Sequence, residues 1–67
     1  MDDYLAQIGA KLKAVRLKNG LTVRQLGELA QLDYGHISRM ENGQMDSRIS
    51  TLKKVADVLN CDVRRFL

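Results

Sequence analysis

The chain has 67 residues, 45% of them hydrophobic and 28% charged, with a formal net charge of +3. That length suits one small domain over residues 1–67, near the lower size at which a single hydrophobic core holds a fold, and the apolar share excludes a disordered chain. One cysteine, Cys61, excludes an internal disulfide, and one histidine, His36, beside it excludes a zinc site, so no cofactor or metal is expected.

There is no charged-then-apolar leader and no apolar run near the roughly 18 residues that span a bilayer. A cytoplasmic location without a membrane partner is therefore expected. The basic balance points mildly toward an anionic partner.

Proline is absent and the apolar residues recur at helical spacing. An all-α fold follows, expected as a compact bundle of five short helices. Asp2-Asp3 reads as a helix cap that also suits the helix dipole. Leu5, Ile8, Leu12 and Val15 make one face of the first helix, while Lys11, Lys13, Arg16 and Lys18 fall largely on its other faces. Asn19-Gly20 ends it, with Gly20 free to take the left-handed conformation that closes a helix.

A second helix begins at Thr22, whose hydroxyl caps the first amides while Gln25 completes a capping box. Leu26, Leu29 and Ala30 form its expected buried stripe. Gln31-Leu32-Asp33 is a short break, and Asp33 is a good N-cap for a third helix from Tyr34 to Glu41, ending at Asn42-Gly43. A polar connection, Gln44 to Ser47, leads to a fourth helix. Leu52, Val55, Ala56 and Leu59 mark it, a Ser47 or Ser50 cap opens it, and Asn60 closes it. Asp62 then caps a last helical turn holding Val63, Phe66 and Leu67.

About three residues join the second and third helices, the spacing of a helix-turn-helix unit. Such a joint makes the third helix protrude, and a rod of that width fits the major groove of B-form DNA. At 100° per residue, Ile37 and Met40 point to one side of that helix with Glu41 beside Ile37. Gly35, Ser38 and Arg39 point to the other, with Tyr34 and His36 at the edges. Arg39 suits a bidentate contact to guanine O6 and N7, Ser38 donates or accepts, and Gly35 allows close approach. Tyr34 suits either a phosphate or a thymine methyl.

From Ile8 to Leu67 the chain resembles the lambda-repressor-like, Cro/C1-type helix-turn-helix family. The resemblance rests on Ile8-Gly9 with Leu12 and Arg16, on Gly20-Leu21-Thr22, and on Gln25-Leu26. It continues through Ile37-Ser38-Arg39-Met40-Glu41-Asn42-Gly43 to Thr51-Leu52, Val55-Ala56 and Leu59. The string ISRMENG is its most specific element. The resemblance implies DNA base contacts at Tyr34, Gly35, Ser38 and Arg39. It implies phosphate contacts at the start of the second helix, Thr22 and Arg24 among them, and at Asn42 and Gln44; His36, read by itself, is a surface or phosphate-neighbouring residue rather than a ligand or general base. Arg16 and Glu41 match a structural ion pair tying the first helix to the third. Three positions depart from the family pattern: Val23 where a phosphate-gripping glutamine is usual, Gly27 for alanine, and Gln31 for the turn glycine. Gln31 must either go left-handed or change the turn.

The expected function is a transcriptional regulator, repressor-type, acting as a homodimer on an inverted-repeat operator in double-stranded DNA, with RNA polymerase blocked or recruited by position. Val63, Phe66, Leu67 and the exposed part of the fourth helix either form the dimer interface or complete the core. The competing reading is an antitoxin or protein-interaction module on the same fold. The sequence shows no paired carboxylates, nucleophile-base-orienter set or glycine-rich phosphate loop, so no enzyme is expected.

Overall fold

The computed structural model describes residues 3–67. Four α-helices follow one another, α1 (Tyr4–Lys18), α2 (Val23–Ala30), α3 (Tyr34–Glu41) and α4 (Ile49–Val58), and a 3-10 turn, Val63–Phe66, closes the chain. The expectation of five helices is corrected to four α-helices and this turn. Only four residues lie between Asp62 and Leu67, and they wind with i→i+3 bonds such as Arg65 N–H to the Asp62 carbonyl at 2.9 Å. Asp62 does cap it: its side chain accepts from the Arg64 amide at 2.9 Å.

All four helices end with the same pair of backbone bonds. After α1, Gly20 N–H reaches the Leu17 carbonyl and Leu21 N–H the Arg16 carbonyl. The pairs Gln31/Leu32, Gly43/Gln44 and Asn60/Cys61 repeat the arrangement after α2, α3 and α4. Each closure needs one left-handed residue, here Gly20 (φ 70°), Gln31 (φ 59°), Gly43 (φ 70°) and Asn60 (φ 57°). Gln31 therefore keeps the turn and bears the left-handed strain that a glycine would avoid.

Helix starts are less uniform. Thr22 and Gln25 form the expected capping box, with Thr22 Oγ1 accepting from the Gln25 amide at 3.0 Å and Gln25 Oε1 from the Thr22 amide at 2.9 Å. Asp2 lies outside the described residues. Asp3 accepts from the Gln7 side chain at 3.0 Å, not from an amide of the first turn. Asp33 has the extended backbone of an N-cap but makes no capping bond. The residue that opens α4 is Arg48, not Ser47 or Ser50, because the helix starts at Ile49 and takes Ser50 into its first turn.

One core joins the elements: Leu12 and Val15 from α1, Leu26 and Ala30 from α2, Ile37 and Met40 from α3, Leu52, Val55 and Ala56 from α4, then Leu59 and Phe66. Burying a side chain of this kind stabilises by roughly 1.5–3 kcal/mol. Phe66 is fully buried, so it belongs to the core and is no interface residue. Met45, in the connection read as polar, packs against the same core. Leu29, expected in the buried stripe of α2, is 59% exposed. The face of α2 turns instead toward Gly27, which is buried against the next turn: a Cβ there would stand 2.7 Å from the Leu32 carbonyl oxygen.

Bare backbone also sets the approach of α1 to α3. A Cβ on Gly9 would strike the carbonyl oxygens of Met40 and Glu41, and one on Gly43 would lie 2.8 Å from the Ala6 Cα. The middle of α1 is tied to Leu67 by Lys11 Nζ donating to the Leu67 carbonyl at 3.2 Å. No described helix is long and apolar enough to cross a membrane.

Candidate nucleic-acid interface

Three residues, Gln31 to Asp33, separate α2 from α3, and the bond from Leu32 N–H to the Gly27 carbonyl (2.8 Å) fixes this joint. Ile37 and Met40 anchor α3 from beneath. Its opposite face is open: Tyr34 is 49% exposed, Arg39 is exposed, and Gly35 and Ser38 are half-buried. The four residues expected at bases thus share one outward surface.

The start of α2 borders that surface through Arg24, whose guanidinium carbon lies 5.0 Å from the centre of the Tyr34 ring. This cation–π contact joins the two helices at their exposed edge. Thr22 is exposed, and its oxygen is occupied as a capping acceptor while the O–H remains a donor. The amides of Val23 and Arg24 have no protein acceptor among the described residues. Free amides at a helix start, with the positive end of the dipole, favour an anionic oxygen. Val23 itself faces inward, half-buried against the core.

Asn42 and Gln44 are exposed at the opposite end of α3, where their amides close the helix onto Ser38 and Arg39. His36 is half-buried, and its Nε2 is buried without a protein hydrogen-bond partner among the described residues.

Behind the surface, Arg16 and Glu41 pair in the interior. Arg16 Nε donates to Glu41 Oε2 at 2.6 Å, its Nη2 to Oε1 at 3.1 Å, and its Nη1 to the Leu21 carbonyl at 2.7 Å. The side chains are only 9% and 5% exposed. One guanidinium thus ties α1 to the last residue of α3 and to the loop before α2. The pair and the close packing at Gly27 were both legible in the sequence; the close approach at Gly9 was not, since its only signal is the lack of a side chain. A second ion pair, Arg64 with Asp62 at 3.1 Å, lies exposed on the closing turn. Hydrogen bonds from the Arg64 side chain and amide hold the Asp62 carboxyl below its ordinary range, while the Asp62 partner raises Arg64.

The helix-turn-helix family model matches residues 12–66. Solved structures with the same fold include C.AhdI, the restriction-modification controller protein of Aeromonas hydrophila. It shares 27% identity over 94% of this chain and 96% of that one, with a TM-score of 0.91. The clp gene regulator ClgR of Corynebacterium glutamicum shares 27% identity over 94% of this chain and 67% of that one, with a TM-score of 0.89. A transcriptional regulator of the same family from Vibrio cholerae shares 27% over 97% of this chain, TM-score 0.89, and this chain spans 38% of it. No curated protein sequence matches the chain. With the family model covering α2, α3, α4 and most of the core, the chain belongs to the Cro/C1-type helix-turn-helix family of DNA-binding transcription regulators.

Proposed function

We propose that this chain regulates transcription by binding a short inverted-repeat operator as a homodimer, each protomer laying α3 in the major groove. Tyr34, Gly35, Ser38 and Arg39 meet base edges. Thr22 and Arg24, with the free amides of Val23 and Arg24, hold one phosphate stretch, and Asn42 and Gln44 hold another. Arg16 and Glu41 keep α3 at its angle without reading sequence.

The observation that carries this reading is the open face of α3, where Arg39 and Tyr34 stand exposed beside a helix start with two unpaired amides. Base-reading donors and phosphate-holding donors flank each other, which is what register on a duplex requires. The pairing into dimers is supported by affinity: one small module with few phosphate contacts binds weakly at cellular salt. Ile49 (56% exposed) on α4 and half-buried Val63 line one surface concavity that offers apolar contact for it, and Leu67 is 51% exposed. Two α3 helices then lie one helical turn apart, about 34 Å. The names of C.AhdI, a restriction-modification controller protein, and ClgR, a clp gene regulator, agree with a regulatory role, repression arising where the operator blocks RNA polymerase.

Arg39→Ala tests the reading. It should weaken the best duplex by about 1–3 kcal/mol and relax preference at one base pair in each half-site. Equal weakening on every sequence would show Arg39 to be a phosphate contact and contradict the assignment.

A further inference from the structure

Asp33 stands immediately before α3 with φ −61° and ψ 133°, the backbone of an N-cap, yet its carboxylate accepts no capping bond. Nor does it form an ion pair among the described residues. Its carboxylate lies instead over Gly35. A Cβ built on Gly35 would stand 3.2 Å from Asp33 Oδ2 and 3.5 Å from Arg39 Nη1. A carboxylate oxygen and a guanidinium nitrogen thus converge on one patch of bare backbone, no farther apart than those two distances combined.

They arrive from opposite directions. Arg39 lies one turn beyond Gly35, and its side chain runs back toward the helix start, as helical side chains do. That start is the end of a recognition helix that meets base edges. The other arginine of this surface, Arg24, is engaged with the Tyr34 ring at 5.0 Å and makes no ion pair with Asp33. Arg39 is the cation that shares the bare Gly35 patch with the Asp33 carboxylate.

A long, rotamer-rich arginine loses much freedom when it docks on a base, and anything that orders it beforehand reduces that loss. A carboxylate at this range does so by Coulomb attraction, modest at a surface but directional. The same charge repels phosphate oxygens, which penalises a slipped register more than the correct one. We propose that Asp33 is a positioning residue for sequence readout: it holds the Arg39 guanidinium over Gly35, aimed along the start of α3 toward its base. The proposal rests on Arg39 being a base-reading residue.

The test measures equilibrium binding at physiological salt to the duplex that the wild type selects and to its single-base-pair variants. Proteins compared are the wild type, Asp33→Asn, Asp33→Ser, Arg39→Ala and the Asp33→Asn/Arg39→Ala double variant. Asn and Ser are both good N-cap residues, so the fold is retained, and melting curves monitor it. Wild-type discrimination at the base pair Arg39 reads should be roughly 5- to 150-fold. Asp33→Asn and Asp33→Ser should each cut it by about threefold or more, leave other positions unchanged, and Asp33→Asn should have no further effect once Arg39 is alanine. Full discrimination in both Asp33 variants, or the same loss on the Arg39→Ala background, would overturn the proposal alone. Undiminished discrimination in Arg39→Ala would overturn the base-reading role and the proposal with it.

Discussion

Arg16→Ala is the perturbation whose size the structure specifies best. It deletes three hydrogen bonds at 2.6, 2.7 and 3.1 Å and leaves the Glu41 carboxylate, 5% exposed, without its cation. Removing one partner of a buried pair costs about 3–5 kcal/mol, because the remaining charge stays desolvated. At 0.05–0.15 kcal/mol per residue, a chain of this size has a total stability of about 3–10 kcal/mol. The substitution thus removes a large part of it. In a domain this small each kcal/mol shifts Tm by about 4–8 °C, so Tm should fall by at least about 12 °C. Thermal and urea denaturation followed by circular dichroism measure it. A companion, Arg16→Met with Glu41→Leu, removes both charges and should recover most of the loss, as apolar replacements of buried pairs do. Sequence preference, measured below the new Tm, should be unchanged. A single variant melting within about 3 °C of the wild type would refute the reasoning, since no buried charge would then have been left unpaired.

Gly9→Ala sets a helix-propensity gain of about 1 kcal/mol against a clash with the Met40 and Glu41 carbonyls, which are backbone and cannot swing away. Overpacking of that kind costs about 1–3 kcal/mol or more, so a net fall in Tm is expected, and a rise would show that α1 and α3 do not approach this closely. Gln31→Gly removes the left-handed strain at φ 59° and should stabilise by about 0.5–1 kcal/mol after the greater freedom of glycine in the unfolded chain is counted. A lower Tm would mean that the Gln31 side chain contributes more than its backbone costs.

Sequence patterns located the helices because their ends carry chemistry: the Thr22/Gln25 box, Asn19-Gly20, Asn42-Gly43 and Asn60 all stand where helices begin or stop. The outward face of α3 was legible for the same kind of reason, since Ile37 and Met40 fix its inward side. Leu29 was misplaced because hydrophobicity is a side-chain signal, and the position that α2 buries in its stead is Gly27, which has none. The cap of α4 was misread because serines were sought by preference, whereas Arg48 supplies only extended backbone and its carbonyl. His36, an edge residue by angle, is half-buried, and the burial of its Nε2 carries no signal in the helical spacing. Asp33 matched the N-cap position in backbone but not in bonding, because its carboxylate lies over Gly35 and makes no capping bond.

Selection of bound duplexes from a random DNA pool at physiological salt tests the central claim most directly. An enriched inverted repeat with half-site centres about 10 base pairs apart is the predicted result, with one base pair per half-site losing its preference when Arg39→Ala is used. Enrichment of no sequence above a salt-sensitive background would contradict it, and would mean that the open face of α3 does not read bases.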